Sequence, residues 1–150
     1  MEKNQNRYLR WIAFLSGVGT LISVYSFLHK EGFTSGALCN LNETFNCDIV
    51  NQGIYSDFFG IPVALIGIIG YAFLFLAIVM KMRTPDDRSL TKFILTASVG
   101  GFLFALYLSG LEAFVLRAWC IVCLTSQAII TTTAVLACLN YRKEKLYDRS

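Results

Sequence analysis

Four stretches of this chain, 11–28, 61–80, 93–111 and 119–139, run for 18 to 21 residues without a single Asp, Glu, Lys or Arg. A helix rises 1.5 Å per residue, so each stretch matches the roughly 30 Å hydrocarbon core of a bilayer. Composition agrees. The chain is 55% hydrophobic and 15% charged, with 12 Phe, 2 Pro and a mean hydropathy of +0.56. An average soluble domain carries about 25% charge, and a water-soluble globule of this size could not cover itself with less. A soluble domain, a disordered chain and a nucleic-acid binder are thereby excluded, the last because +3 net charge makes no basic face. The expected fold is an all-α membrane protein. It is one domain over 1–150, a compact antiparallel bundle of four transmembrane helices with a long outward-facing loop between helices 1 and 2. No internal repeat or low-complexity segment is visible.

Orientation follows from Lys and Arg. The N-terminal tail holds Lys3, Arg7 and Arg10, and the hairpin after the second span holds Lys81, Arg83, Arg88 and Lys92. Arg142, Lys143, Lys145 and Arg149 follow the fourth span, which leaves only Lys30 and Arg117 on the other side. Eleven basic residues against two place both termini in the cytoplasm, with the long loop facing periplasm, cell exterior or an organelle lumen. The first apolar run is too long for a signal peptide and no small-x-small cleavage site follows it, so it reads as a retained helix.

Four of the five cysteines then fall at the oxidising face. Cys39 and Cys47 lie in the long loop. Cys120 and Cys123 form Cys-Ile-Val-Cys at the outer start of the fourth helix, while Cys138 lies about 22 Å further down it. A cysteine in a first helical turn meets unpaired N–H groups and the positive end of the helix dipole, both of which favour the reactive thiolate. A spacing of three brings both sulfurs to one side of the turn, near enough to bridge. At the bilayer boundary such a pair reaches both water-soluble disulfides and an acceptor dissolved in lipid. A static disulfide and a thiolate metal site are the other readings of this motif. Asn40, Asn42, Glu43, Thr44 and Asn46 are polar neighbours that leave the loop pair free to swing between partners. A simple loop staple is the alternative, and beside a membrane-edge C-x-x-C the relay reading is the stronger.

These residues fall into a larger pattern: Ser23-Val24-Tyr25, Ala37-Leu38-Cys39, Cys47-Asp48-Ile49-Val50, Phe59-Gly60-Ile61-Pro62 and Trp119-Cys120-Ile121-Val122-Cys123. The pattern resembles the vitamin K epoxide reductase (VKOR) family in its bacterial form, from about residue 23 to 125. In the other quinone-linked thiol oxidase group, the DsbB type, the C-x-x-C instead precedes the second helix. The resemblance implies a quinone-dependent, disulfide-generating oxidoreductase of the bacterial plasma membrane. Its catalytic residues would be Cys39, Cys47, Cys120 and Cys123. Cys39 would exchange with a separate periplasmic or extracellular thioredoxin-like (DsbA-type) protein, since only eleven residues follow the fourth span. Cys47 would exchange with Cys120, and Cys123 would make the charge-transfer or covalent contact with a menaquinone, ubiquinone or phylloquinone type of quinone. Two positions depart from the family. Gly53 stands where Ser or Thr is frequent, and Gln127 stands where vertebrate members carry Tyr, which favours plain quinone reduction over epoxide turnover. Gln127 could still offer its amide to a quinone carbonyl.

Phe58, Phe59, Phe102, Phe104 and Phe114 are further candidates to line a quinone cleft, with Phe114 taken alongside Cys123 and Gln127 as quinone-binding. Ala97, Gly101 and Ala105 recur every four residues and suit close helix packing. Trp11 and Trp119 suit interfacial belts, and Cys138 reads as a packing residue. His29 and Lys30 are expected to snorkel to the outer boundary, Glu112 and Arg117 to be solvated, and Ser56 and Asp57 to cap the second helix. No metal ligand set is assigned. The rival function is a non-enzymatic carrier passing a soft metal between cysteine pairs. It calls for cysteines within the spans or on the cytoplasmic face, and only Cys138 answers that description.

Overall fold

The computed structural model describes residues 2–35, 40, 42 and 44–149. Its four long helices are α1 (Glu2–Lys30), α3 (Val63–Arg83), α4 (Arg88–Leu111) and α5 (Ile121–Arg149), with the short α2 (Cys47–Asn51) in the loop after α1. All four long helices are long and apolar enough to cross a membrane, over Asn6–Lys30, Val63–Arg83, Arg88–Leu116 and Ile121–Tyr147. This is an all-α, multi-pass membrane protein.

The exterior is as apolar as the interior, as a lipid solvent demands. Phe14, Leu21, Phe73, Leu76 and Leu103 are all more than half exposed, and Cys138 is exposed on the same surface. With lipid outside there is no hydrophobic drive between helices, so close approach through small residues and polar contacts holds the bundle. A Cβ added at Gly101 would stand 3.1 Å from Ile130, so the Ala97–Gly101–Ala105 stripe does bring α4 onto α5. Leu9, Ile12, Leu74, Ala77, Ile78, Ile94 and Ala137 form the core at the end that carries the termini.

That end also buries a charge, one of the four basic residues of the hairpin after the second span. Lys81 is fully buried, and its ammonium donates to the Pro85 carbonyl (2.6 Å), the Asp87 carbonyl (3.0 Å) and Glu144 Oε1 (3.1 Å). Thr91 donates to the second Glu144 oxygen at 2.7 Å. The α3–α4 turn is thus tied to α5 by an ion pair with every partner in place.

At the opposite end the chain enters α3 through a two-stranded hairpin, β1 (Asp57–Phe58) and β2 (Ile61–Pro62), paired antiparallel with Phe58 opposite Ile61. Phe59 (φ 53°) and Gly60 (φ 82°) form its two-residue turn; both central residues of this turn type need positive φ, which Gly adopts freely and Phe rarely. The hairpin displaces the expected cap. The residue before α3 is Pro62, which offers no side-chain cap, while Asp57 and Ser56 bind the Lys30 ammonium instead. Lys30 therefore closes the loop onto α1 rather than snorkelling.

Candidate active site

A short backbone zipper builds the site. Phe45 and Trp119 form a parallel bridge, in which Trp119 N–H donates to the Thr44 carbonyl (2.8 Å) and Asn46 N–H to the Trp119 carbonyl (3.1 Å). Cys120 follows Trp119 directly and Cys47 follows Phe45 by two positions, so the zipper sets Cys47 against Cys120 although 73 positions separate them. Both are completely buried and their sulfurs lie 3.1 Å apart. Cys47 is disulfide-bonded, whereas Cys120, Cys123 and Cys138 are free thiols. A free sulfur thus stands at attacking distance from one that already belongs to a disulfide. Cys39 lies outside the described residues.

Cys120 sits one position earlier than a first-turn residue. The helix begins at Ile121, so Cys120 precedes the spanning segment and takes the place of a cap. Its carbonyl accepts from Leu124 N–H (2.9 Å), and its sulfur accepts from Cys123 N–H (3.3 Å). That second bond is the one a capping oxygen makes to the third residue of a helix. A hydrogen bond from the Cys123 side chain and these helix-end N–H groups draw the Cys120 thiol below its ordinary range, against burial and the nearby Glu112 carboxyl, which push it up.

The loop around Cys47 is not the freely swinging segment its polar residues suggest. Asn46 Oδ1 caps α2 by accepting from Asp48 and Ile49 N–H. Asn40 Oδ1 accepts from Cys47 N–H at 2.9 Å, and Asn42 Oδ1 accepts from Thr44 and Phe45 N–H. His29 is buried rather than snorkelling, with Nε2 2.8 Å from Asp48 Oδ1 and Nδ1 3.1 Å from the Thr34 carbonyl. Since Asp48 also accepts from Asn40, a polar chain runs from the end of α1 to the Cys47 backbone.

Glu112 corrects another expectation. It is 4% exposed, not solvated, and Oε2 accepts from the Cys120 N–H at 3.3 Å. It stands where α4 widens into a π-helical turn over Glu112–Leu116, ended by Arg117 in the left-handed conformation (φ 52°). Such turns recur at functional sites. A carboxyl in the last turn of an apolar span was the signal available, because ionisable residues at membrane depth are costly.

Beneath the sulfurs, between the four long helices, lies a cavity of about 530 Å³, within the range of small-molecule sites. Cys123, Gln127, Glu112, Asn51, Ser126 and Phe104 are among its lining residues. Gln127 Oε1 accepts from the Ser109 hydroxyl, and Tyr71 donates its hydroxyl to the Ser126 carbonyl at 2.8 Å. Of the aromatic candidates, Phe104 lines the cavity and Phe58 packs edge-on against it at 5.5 Å. Phe59 is 90% exposed and Phe114 84% exposed, and neither they nor Phe102 line it, while Phe73 and Phe93 do. The structure thus brings Cys47, Cys120, Cys123 and Gln127 to one end of the bundle and leaves Phe114 out. Among the described residues, no three His, Cys, Asp or Glu side chains are grouped to hold a metal ion.

The family model of the vitamin K epoxide reductase family matches residues 10–138, most of the chain. The chain belongs to that family. Membership makes it a membrane thiol oxidoreductase, and a bacterial-type, small VKOR-like protein fits. It also gives the departure at Gly53 a physical content. A Cβ there would stand 2.5 Å from the Ile49 carbonyl oxygen, so this VKOR-family loop has no room for the usual Ser or Thr without moving α2.

Proposed function

We propose that this protein passes electrons from a thioredoxin-like dithiol, through Cys39–Cys47 and then Cys120–Cys123, to a membrane quinone, and so supports disulfide formation outside the cytoplasm. The observation that carries the reading is the free Cys120 sulfur 3.1 Å from disulfide-bonded Cys47, with Cys123 lining the cavity beneath. Cys39 is the proposed partner of Cys47 and the sulfur that meets the soluble protein. The eleven-to-two basic-residue asymmetry supports cytoplasmic termini in a bacterial plasma membrane, with the zipper facing outward.

The residues present fit a quinone. The walls of the cavity are largely apolar, and among the described residues Asn51 Nδ2 is a buried donor without a partner, although Asn51 Oδ1 is already held by the Ser26 hydroxyl at 3.1 Å. A buried N–H left unpaired costs free energy that a ligand carbonyl would recover. Gln127 would offer a second amide, oriented by Ser109. Bound there, a quinone supplies an acceptor for two electrons and two protons. The chain does the rest. A thiolate on Cys47 displaces Cys123 from Cys120, then Cys39 displaces Cys120 from Cys47. That leaves a loop disulfide and two free thiols, the arrangement seen around Cys47, Cys120 and Cys123.

The test is quinone reduction by the purified protein in nanodiscs, with a short-chain ubiquinone analogue as acceptor. Cys39→Ala retains turnover with dithiothreitol and loses it with a thioredoxin-like donor, whereas Cys123→Ala loses both. Equal activity in the two variants, or a parent protein that never oxidises its thiols with quinone, rejects the reading. Reporter fusions after Lys92 and within 32–46 check the orientation, the first reporting cytoplasm and the second not.

A further inference from the structure

We infer that Glu112 is the proton-transfer group of the site, taking the proton from the Cys123 thiol and delivering it into the cavity as the Cys120–Cys123 disulfide forms. The inference rests on the quinone reading above and adds a residue to it. Among the described residues lining the cavity, Glu112 is the one carboxylic acid, and the other ionisable side chains there are Lys30, Tyr55, Tyr71 and Cys123. Lys30 is engaged by Asp57 and Ser56, and the Tyr71 hydroxyl is committed to Ser126. Glu112 alone touches both parts of the reaction. Oε2 accepts from the Cys120 N–H three positions before Cys123, and Glu112 and Cys123 both border the cavity. The ion pairs among described residues, His29–Asp48, Lys30–Asp57 and Lys81–Glu144, give it no cation, so no fixed counter-charge pins its protonation state.

The balance of the step calls for such a group. Forming the Cys120–Cys123 bond releases two electrons, and reducing a quinone to a quinol takes up those two electrons and two protons. If Cys120 enters as the thiolate, one proton comes from Cys123 and one from water. The Cys123 S–H bond breaks to Glu112, and the same proton then passes from Glu112 to the nearer quinone oxygen. Cys123 borders a largely apolar cavity, and among the described residues lining it Glu112 is the one carboxylate placed to take the proton.

Glu112→Gln is the decisive variant. Its amide oxygen still accepts from the Cys120 N–H, but it cannot carry a proton. Two half-reactions are followed in nanodiscs by stopped flow. One is reduction of the oxidised protein by dithiothreitol without quinone. The other is oxidation of the pre-reduced protein by the short-chain ubiquinone analogue across pH 6 to 9. The first should stay within about threefold of the parent, while the second should slow by about 10²-fold, the usual scale of general acid–base catalysis. Its rate should also climb with pH, because solvent base replaces the carboxylate, and Glu112→Asp should restore at least about tenfold. Oxidation of Glu112→Gln within about threefold of the parent would overturn the inference. So would equal slowing of both half-reactions with an unchanged pH profile, which marks a purely structural role. A parent that quinone does not oxidise at all removes the functional reading itself, and that result is visible before any variant is made.

Discussion

The two ends of the bundle both bury polar groups, and they do so in opposite ways. Around Lys81, each charge meets its partners: three acceptors for the ammonium, with Lys81 and Thr91 on the two oxygens of Glu144. Around Cys120, the arrangement is incomplete. Among the described residues Asn51 Nδ2 finds no acceptor and Glu112 no cation, and a free sulfur rests against a disulfide one. A buried network with every member satisfied rigidifies a structure, whereas an incomplete one is unstable alone and gains when something arrives to finish it. The Lys81 cluster is built to stay as it is and the Cys120 cluster to exchange partners.

The sharpest test of that contrast is Cys123→Ser. A hydroxyl is a far poorer nucleophile than a thiolate at neutral pH, so quinone reduction should fall to background and a Cys47–Cys120 bridge should accumulate. Proteolysis between the two residues and mass spectrometry without reductant would show it; a Cys39–Cys120 bridge would exchange the roles of the loop cysteines, and no bridge would favour a static staple. Next in size, Glu144→Ala leaves the Lys81 ammonium buried on the Pro85 and Asp87 carbonyls without its counter-charge, which costs about 3–5 kcal/mol. Denaturant unfolding should show that loss while turnover per folded molecule at low temperature is kept. Asn51→Leu should do the reverse. It removes an unpaired donor together with the acceptor of the Ser26 hydroxyl, so stability should fall by no more than about 1 kcal/mol while the KM for the quinone analogue rises about tenfold, as one lost hydrogen bond predicts. A stability loss at Asn51 as large as that at Glu144, or a turnover loss at Glu144, would break the comparison.

The smallest effect concerns pH. Because the Cys120 thiol is drawn down chiefly by the Cys123 side chain, its thiolate persists to lower pH than that of an ordinary cysteine. In a Cys138→Ala background, thiolate absorbance should therefore begin to rise below the usual thiol range of about 8.5. Replacing Cys123 with Ala should move that onset upward. An unchanged onset would assign the shift to the helix end alone.

Much of the fold was legible before any coordinates. Span length is a one-dimensional property, so the stretches without charge gave all four long helices. Polar burial is a property of neighbours, and there the reading failed. Glu112 and Lys81 stand at span ends where solvation is the natural expectation, and only the π-helical turn and the facing Glu144 show otherwise. Asn40, Asn42 and Asn46 read as flexible because polar loop residues often are; short amides also bind nearby backbone N–H groups, and here all three do so. Phe114 is expected to line a quinone cleft because it is aromatic, yet the turn after α4 carries it to the outer surface.

The zipper between Phe45 and Trp119 also orders events during synthesis. Ribosomes add roughly 5–20 residues per second, so Cys47 is made roughly 4–15 s before Cys120, which follows it by 73 positions. Throughout that interval the loop sulfur has no Cys120 to exchange with, and the strand that will hold it has no edge to join. Contacts so distant in sequence close late because the intervening chain must first be ordered. A nascent chain is therefore redox-silent along this route until its last helix is in place, and each molecule acquires its electron path in a single closing step.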